Sequence, residues 1–345
     1  MIKITGEECM KNALRSLPHP PAVMPGMPCE ERSSADLSPW TVSIITPTFN
    51  RAYALSLVLD SFYQQKFVRE LVVVDDGGSD RTAAVLDQYK RKYPRIKTIY
   101  LRNEKRRGAP YSRRRGLQAA GGEFVLFCDD DDFLEENYTE VCLEKLEKTR
   151  ADIVSGRHFY RNRGESIPSA VARFQREGRN VPPFDFRLFY INNDAKLKGD
   201  VELPFTHANF LARRKLLLSF EVDTFYSRGN GFREENDIQA KIHINGGKII
   251  MTNDTHSVHL HPSEAQSGGQ RVGSLPRLFW SLYYTSYFFK KYYQPIMERQ
   301  GKNGCYLKGI IIYSALTLST FPFSFLIEKN RQANGGKDAS ISRRR

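Results

Sequence analysis

The sequence predicts an α/β fold in which a mostly parallel sheet carries helices on both faces. The first observation is that apolar, β-branched runs alternate with helix-like segments four times within about 95 residues, as in parallel sheets with helical crossovers. The second is that polar residues directly follow three of those runs. Because ligands of such sheets bind beyond the carboxyl ends of the strands, the pattern also predicts one binding crevice.

Each element of the first 150 residues has its own sequence signal. Runs of Val, Ile, Leu and Phe predict strands at residues 41–46, 70–74, 96–101 and 123–127. Apolar residues at helical spacing predict helices at residues 52–65, 80–93 and 112–120. Ser79 or Asp80 suits the N-cap of the second helix, and Gly121 and Gly122 suit the end of the third.

The pattern is looser after residue 150. We expect a short strand at 151–154, an insertion rich in loops at 160–200, a strand entering a helix at 210–220, a helix at 232–244 and a strand at 248–251. Beyond Pro276 the composition becomes aromatic and aliphatic, which predicts a helical C-terminal extension.

Composition narrows the classes of partner. The 345-residue chain has 52 Lys+Arg against 39 Asp+Glu, and this net charge of +13 favours nucleic acid, an anionic membrane or a phosphorylated substrate. Its five cysteines are scattered without a CxxC pair, so neither a zinc site nor a disulfide framework is predicted. Reduced thiols indicate a cytoplasmic protein.

The most informative motif is the run of four aspartates at residues 129–132, which directly follows the fourth predicted strand. Adjacent carboxylates repel one another unless a cation neutralises them. Mg²⁺ and Mn²⁺ prefer oxygen ligands and take one or two carboxylates together with substrate phosphates, so the run predicts a divalent metal site. The alternative is a solvated acidic turn that caps a helix starting near Phe133.

Together with its neighbours, the aspartate run resembles a known family. Residues 42–51 (VSIITPTFNR), 73–80 (VVDDGGSD) and 122–124 (GEF), followed by the aspartates, are similar to the signature motifs of glycosyltransferase family 2. The resemblance covers residues 41–150 well and residues 200–262 more loosely. It implies a GT-A (Rossmann-like) fold and an inverting, nucleotide-sugar-dependent transferase of the hexosyltransferase type.

The resemblance implies which residues hold the nucleotide. Those expected to border it are Thr46, Pro47, Asn50, Asp76, Arg113, Asp129 and Asp130. Asp76 is placed at the uracil ring and Asp129 at the ribose or a metal-bound water. Within the aspartate run, Asp129 and Asp132 support Asp131, and Asp130 is the spacer. One departure is Arg114, which stands beside Arg113 where the family has asparagine.

The same resemblance implies Asp131 as the direct ligand of Mn²⁺ or Mg²⁺. Some glycosyltransferases of this fold use a late histidine as a further metal ligand, so His259, or else His261, is expected to fill that place. The alternative is a pair of structural histidines. A segment at residues 268–271 (GGQR) is a weaker candidate for a loop that closes over the diphosphate.

The general base is assigned through residues 229–237 (GNGFREEND), which resemble the acidic stretch at the acceptor site of the family. The resemblance implies Glu235 as the base that accepts the proton of the attacking hydroxyl, a glutamate where the family usually has aspartate. Glu234 and Asp237 are the other candidates. The alternative is an exposed acidic start of a helix.

These expectations divide the chain into a poorly ordered leader (1–39), a nucleotide-sugar-binding half (40–150), an acceptor-binding half (151–272), a helical membrane-associating extension (273–330) and a disordered basic tail (331–345). Residues 309–327 carry no charge and are just long enough to span a bilayer, and the aromatic residues 278–293 suit an interfacial helix. We expect attachment to the inner face of a membrane. The alternative is two helices that cover the catalytic domain.

The sequence therefore predicts metal-dependent transfer of a sugar from a nucleoside diphosphate, favouring UDP, to a hydroxyl of a glycan or lipid-linked acceptor. No nucleic-acid partner is expected, because acidic strand ends repel phosphate. A nucleotidyltransferase would need a glycine-rich phosphate loop where residues 46–50 (TPTFN) stand. A non-catalytic relative stays open, since Glu235 replaces the usual aspartate. The sequence does not indicate the oligomeric state.

Overall fold

A nine-stranded mixed sheet forms the centre of the fold in the computed structural model, which describes residues 40–261, 263–264 and 272–333. The predicted leader at 1–39, the segment at 268–271 and residues 334–345 of the predicted tail lie outside the described residues. The nine strands of this sheet are β1 Val42–Thr48, β2 Val68–Asp75, β3 Lys97–Arg102, β4 Phe124–Phe127, β5 Asp132–Leu134, β6 Ile153–Tyr160, β9 Val201–Glu202, β10 Phe210–Arg213 and β11 Ile249–His259. Two further strands, β7 Phe184–Asp185 and β8 Tyr190–Ile191, pair with each other in a separate antiparallel sheet.

Helices cover both faces of this sheet. They are α1 Ala52–Tyr63, α2 Thr82–Lys92, α3 Ala109–Ala119, α4 Tyr138–Thr149, α5 Ile167–Glu177, α6 Arg214–Leu218, α7 Glu234–Ile244, α8 Ser274–Arg299 and α9 Tyr306–Ala333, with a 3₁₀ helix at Thr224–Ser227. Successive residues of β1 point to opposite faces, so Ile44 packs in one core cluster and Ile45 in the other. The predicted α/β sheet with helices on both faces is confirmed.

The sheet has a parallel half and a mixed half. Strands run in the order β3-β2-β1-β4-β10-β6-β11-β5, with β9 paired to β11. The first four strands are parallel, whereas β10 is antiparallel to both β4 and β6. The carboxyl ends of β1, β2 and β4 therefore meet at one edge. Because β10 runs in the opposite direction, the residues just before it lie at the same edge.

Several element boundaries differ from the sequence predictions. The aspartate run does not cap a helix starting near Phe133, because Asp132–Leu134 forms β5 against β11 and the next helix begins at Tyr138. Strands β6 and β11 are much longer than the predicted 151–154 and 248–251. They pair with each other in parallel across a register shift between Met251 and His256, so a tertiary partner extends both into polar sequence.

Helix α8, the first of the two C-terminal helices, packs on the sheet domain. Its residues Phe288, Phe289 and Ile296 are fully buried in a cluster with Phe189 and Phe205. This half of α8 therefore covers the domain, as in the alternative stated for residues 278–293. No helix within the described residues is both long and apolar enough to cross a membrane, including α9, which contains residues 309–327.

Candidate functional site

A cavity of about 280 Å³ opens at the edge where β1, β2 and β4 end. Six of the ten predicted site residues line it: Pro47, Asp76, Arg113, Asp129, Asp130 and Glu235. The start of α7 supplies the wall opposite the aspartate run. The sheet edge and α7 therefore bring together residues that are far apart in the sequence.

Thr46 and Asn50 lie behind the cavity and do not line it. Thr46 is buried in β1, and within the described residues its Oγ1 has no hydrogen-bond partner. Asn50 adopts a left-handed backbone with φ of 51°, and its Oδ1 accepts a hydrogen bond of 2.7 Å from the Ser79 N–H. Asn50 thus ties the loop after β1 to the loop after β2.

Asp76 shapes the loop that leads into α3. Its carboxylate accepts hydrogen bonds from the Arg107 and Gly108 backbone N–H groups, both at 2.8 Å, and from Asn103 Nδ2 at 2.7 Å. A carboxylate has about four acceptor positions, so these bonds leave little capacity for a ligand. In this structure, Asp76 holds the rim of the cavity as well as lining it.

Arg113 joins the two walls of the cavity. Its Nη2 donates to Asp129 Oδ1 at 2.7 Å, and its Nε donates to Glu234 Oε1 at 2.9 Å. The side chain is buried, and Nη1 has no hydrogen-bond partner among the described residues. A buried guanidinium with one unsatisfied nitrogen can still donate to an anionic ligand in the cavity.

The three acids at the start of α7 have different surroundings. Glu234 pairs with Arg113, and Asp237 pairs with Lys291 at 2.6 Å away from the cavity. Glu235 lines the cavity and has no ion-pair partner in the part of the chain that the structure describes. Burial, and then the neighbouring charge of Glu234, raise the pKa of Glu235 to about 7. Of the three, Glu235 is the carboxylate suited to accept a proton near neutral pH.

Arg51 neutralises the first part of the aspartate run. Its Nη1 donates to Asp130 Oδ1 at 2.7 Å, and its Nη2 bonds to Asp131 Oδ2. Thr48 Oγ1 also donates to Asp130, at 2.6 Å. Burial raises the pKa of Asp130 to about 7 and also raises the pKa of Asp131, so both carboxylates depend on a nearby cation to stay ionised.

A group of oxygen and nitrogen donors lies beside Asp131. Asp132, His158 and His259 each offer one ligand atom, and these atoms lie within 4.8 Å of one another. His259 Nδ1 is 2.6 Å from Asp132 Oδ1, and its Nε2 is 3.3 Å from Asp131 Oδ2. Carboxylate and imidazole ligands suit Mn²⁺, so these residues fit a divalent metal.

A proton on His259 offsets the negative charge of the neighbouring carboxylates. Burial disfavours the charged imidazolium, but the adjacent Asp131 and Asp132 carboxylates raise the pKa of His259 to about 9. Burial lowers the pKa of His158, whose Nδ1 lies 3.0 Å from Ser257 Oγ. His261, the other histidine considered from the sequence, instead contacts Ser263 and is not part of this group.

Sequence reasoning missed three residues at this edge. Arg51 directly follows the motif after β1, but nothing in the sequence links it to Asp130 and Asp131. His158 lies beyond the predicted end of β6 at residue 154. Asn209 directly precedes β10. Its side chain donates to Asp132 at 2.7 Å and accepts from the Asp129 N–H at 3.2 Å. Residues 155–160 (SGRHFY) do not alternate apolar with polar side chains, so periodicity gives no signal of a longer β6.

Comparison with known proteins identifies relatives of this chain. The sequence profile described as Glycosyl transferase family 2 matches residues 43–219. Glycosyltransferase GlyG of Streptococcus pneumoniae is 24% identical over 216 residues, which span 62% of this chain and 68% of GlyG. The GalNAc(5)-diNAcBac-PP-undecaprenol beta-1,3-glucosyltransferase of Campylobacter jejuni is 34% identical over 113 residues. That match spans 32% of this chain and only 36% of the relative.

Two solved structures have a similar fold. TarS of S. aureus, residues 1–349 with UDP, has a TM-score of 0.51 and 19% identity over 75% of this chain and 70% of that one. The mannosyltransferase PcManGT of Pyrobaculum calidifontis, with GDP-Man and Mn²⁺, has a TM-score of 0.52 and 19% identity over 89% of this chain and 79% of that one. Both share the GT-A architecture predicted from the sequence.

Proposed function

This chain belongs to glycosyltransferase family 2, and from that membership we propose that it transfers a sugar, with inversion, from a UDP-sugar to a hydroxyl group of a glycan or lipid-linked acceptor. The observation that carries the proposal is the cavity that Asp129 and Glu235 both line, in which Arg113 bonds to Asp129 on one wall and to Glu234, the neighbour of Glu235, on the other. A nucleotide sugar between these walls would have its ribose at Asp129 and its reacting carbon on the side of Glu235.

Glu235 acts as the general base in this proposal. The acceptor hydroxyl gives its proton to the Glu235 carboxylate while its oxygen forms a bond to the anomeric carbon. The bond from that carbon to the diphosphate breaks at the same time, and the diphosphate leaves with the electron pair. Attack from the face opposite the leaving group inverts the configuration. A base with a pKa of about 7 is ionised often enough near neutral pH to take the proton.

Charged side chains hold the donor and its leaving group. Asp131 and His259, with Asp132 and His158 beside them, would hold Mn²⁺ or Mg²⁺, which when bound supplies positive charge to the departing diphosphate. Arg113 lines the cavity and orients Asp129, and its Nη1 has no hydrogen-bond partner among the described residues. The Mn²⁺ bound with GDP-Man in the Pyrobaculum mannosyltransferase supports this assignment, as does the UDP bound to TarS for the nucleotide.

The acceptor and the membrane form the second part of the proposal. Leu275, Phe279 and Tyr283 recur at four-residue intervals along α8 and are 62%, 58% and 44% exposed. An exposed apolar and aromatic stripe on one face of a helix suits the interface of a bilayer, here its inner face. The name of the Campylobacter relative describes transfer to an undecaprenol diphosphate, a lipid-linked acceptor.

The division of the chain follows from these roles. We assign residues 40–150 to the donor, residues 151–272 to the acceptor and residues 273–330 to the membrane-associating extension. The donor residues come from β1, β2 and β4, whereas Glu235 comes from the second half. A flotation assay of the intact chain with anionic vesicles tests the extension. Failure of the protein to float would remove the membrane from the proposal.

A thermal-shift screen tests the donor. We expect a rise in the melting temperature with a UDP-sugar in the presence of Mn²⁺ and a smaller rise with EDTA, because a ligand that binds only the folded state stabilises it. Glu235→Gln should keep this shift and lose transfer, whereas Glu221→Gln, at an exposed position outside the cavity, should keep both. Equal transfer rates for Glu235→Gln and the unaltered protein would overturn the role of Glu235.

A further inference from the structure

A second cavity, of about 490 Å³, lies next to the donor cavity. We call it the arginine pocket, because Arg106, Arg107 and Arg228 line it together with the backbone around Gly108 and Gly229. No carboxylate is among its described lining residues. Guanidinium groups around one hollow give it positive charge, so the pocket has the charge of a binding site for a multiply charged anion.

Two glycines allow the loops of the pocket to approach closely. A Cβ atom on Gly108, whose φ is +88°, would lie 2.6 Å from the Ser227 carbonyl oxygen. A Cβ atom on Gly229, whose φ is +61°, would lie 2.4 Å from the Trp280 ring. A side chain at Gly108 would fill the contact between the loop before α3 and Ser227, and one at Gly229 would fill the contact between the loop before α7 and α8. The glycines therefore allow both loops of the pocket to pack closely.

Aromatic rings hold two of the arginines in place. The Arg107 guanidinium lies 4.3 Å from the centre of the Tyr111 ring, and that of Arg106 lies 4.3 Å from the centre of the Phe49 ring. Stacking on a ring face orders a guanidinium and leaves its N–H edge available for an oxyanion. Within the described residues, Arg107 and Arg228 form no ion pair, and both side chains are exposed. An anion would thus meet two arginines, Arg107 and Arg228, that no described residue neutralises.

The position of the pocket relates it to the acceptor. Arg106 lines both cavities, and the loop that carries Arg228 continues through Asn230 and Phe232, which line the donor cavity, to Glu235. The proposed diphosphate site lies at the aspartate run, and none of those aspartates lines the arginine pocket. The pocket therefore lies between residues 106–108 and the loop that leads to the general base. Since the donor diphosphate is already placed at the aspartate run, an anion here is assigned to the molecule that brings the hydroxyl.

We propose that the arginine pocket binds a phosphate group of the acceptor and so selects phosphate-bearing acceptors over neutral glycans. This inference rests on the proposed transferase function, because it names the acceptor class for the same site. Two sources share this chemistry, namely the diphosphate of a lipid carrier and the phosphodiester of a soluble polyol-phosphate polymer. Guanidinium groups bind both through paired N–H···O bonds.

The test measures anion binding apart from catalysis. The intact protein is first saturated with UDP and Mn²⁺, and inorganic pyrophosphate is then titrated into it by calorimetry. Arg107→Ala combined with Arg228→Ala should weaken pyrophosphate binding about tenfold or more, since hydrogen bonds to charged groups are strong. The matched control is Arg91→Ala combined with Arg95→Ala, which removes two exposed arginines away from both cavities and should leave binding unchanged.

Two further arms identify the source of the phosphate. Vesicles that carry a polyprenyl diphosphate represent the lipid source, and glycerol phosphate oligomers represent the soluble polymer. The tighter binder of the two, lost in the Arg107/Arg228 double variant, identifies the source. Unchanged binding of every probe in this variant would overturn the proposal. A parallel loss of UDP affinity would also overturn it, because the arginines would then belong to the donor site.

Failure of the proposed function gives a different result. If no UDP-sugar is transferred but the double variant still loses pyrophosphate binding, the pocket is an anion site and the assigned reaction is wrong. If transfer occurs and the double variant transfers to neutral and phosphorylated acceptors with unchanged KM, the reaction stands and the pocket has no role in acceptor choice.

Discussion

Replacement of the proposed base should stabilise the fold in a pH-dependent way. An ordinary glutamate has a pKa of 4.5, whereas burial and the charge of Glu234 raise the pKa of Glu235 to about 7. At pH values between 4.5 and about 7, the Glu235 carboxyl group stays protonated in the folded protein but is ionised in the unfolded chain. Stability therefore falls as pH rises from about 4.5 through 7, and Glu235→Gln removes this penalty because glutamine cannot ionise.

The size of the effect follows from the pKa. A shift of one pK unit corresponds to about 1.4 kcal/mol, so the ionised Glu235 should destabilise the fold by on the order of 3 kcal/mol at pH 8 and by less than about 1 kcal/mol at pH 5. The same variant should lose transfer by a factor of about 10² to 10⁴, the usual contribution of a general base. If Glu235→Gln raises the stability of the fold and lowers the rate of transfer, then the carboxylate costs folding free energy and is retained because the reaction needs it.

Urea unfolding of the metal-free protein at pH 5 and pH 8 measures this directly. The difference in unfolding free energy between Glu235→Gln and the unaltered protein should be larger at pH 8. Glu221→Gln is the control, because the Glu221 side chain is 83% exposed and its nearest cation is 4.0 Å away. An equal difference at both pH values, or a loss of stability at pH 8, would refute the reasoning about Glu235.

Three other substitutions test separate contacts. Arg113→Met leaves the buried Glu234 and the half-buried Asp129 without their cation and should cost about 3–5 kcal/mol in urea unfolding; a loss below about 1 kcal/mol would contradict the buried Arg113–Glu234 pair. Gly108→Ala should lower stability by about 1–3 kcal/mol more than the strained but uncrowded Gly246→Ala, as measured by thermal unfolding. His259→Gln should weaken Mn²⁺ binding at least about tenfold by electron paramagnetic resonance titration, and unchanged affinity would exclude it as a ligand.

The donor half could be predicted from the sequence because its geometry is local and regular. Pro47, Asp76 and the aspartate run follow three parallel strands, whose carboxyl ends necessarily meet at one edge. The enzyme class was also predictable, since the motifs occur in order along that half. The nine-stranded sheet extends beyond this half because β10 lies antiparallel between β4 and β6. The sequence of residues 210–213 does not indicate this reversal.

The charge partners at the site could not be predicted, since they depend on contacts between distant residues. Arg51 meets Asp130 and Asp131 across about 80 positions, and Arg113 meets Glu234 across 121. His158 reaches Asp132 and His259 only because pairing with β11 extends β6 past its own apolar run. Periodicity describes one element at a time and carries no information about such pairs.

Arg113 also joins parts of the chain that are made at different times. Asp129 follows it by 16 residues and Glu234 by 121. At about 5–20 residues per second, the ribosome adds Glu234 roughly 5–20 seconds after Asp129. The guanidinium can thus pair first with Asp129, within the sheet that is already complete from β1 to β4. The order of synthesis makes residues 40–150 the template, and α7 docks onto them as a later wall of the cavity.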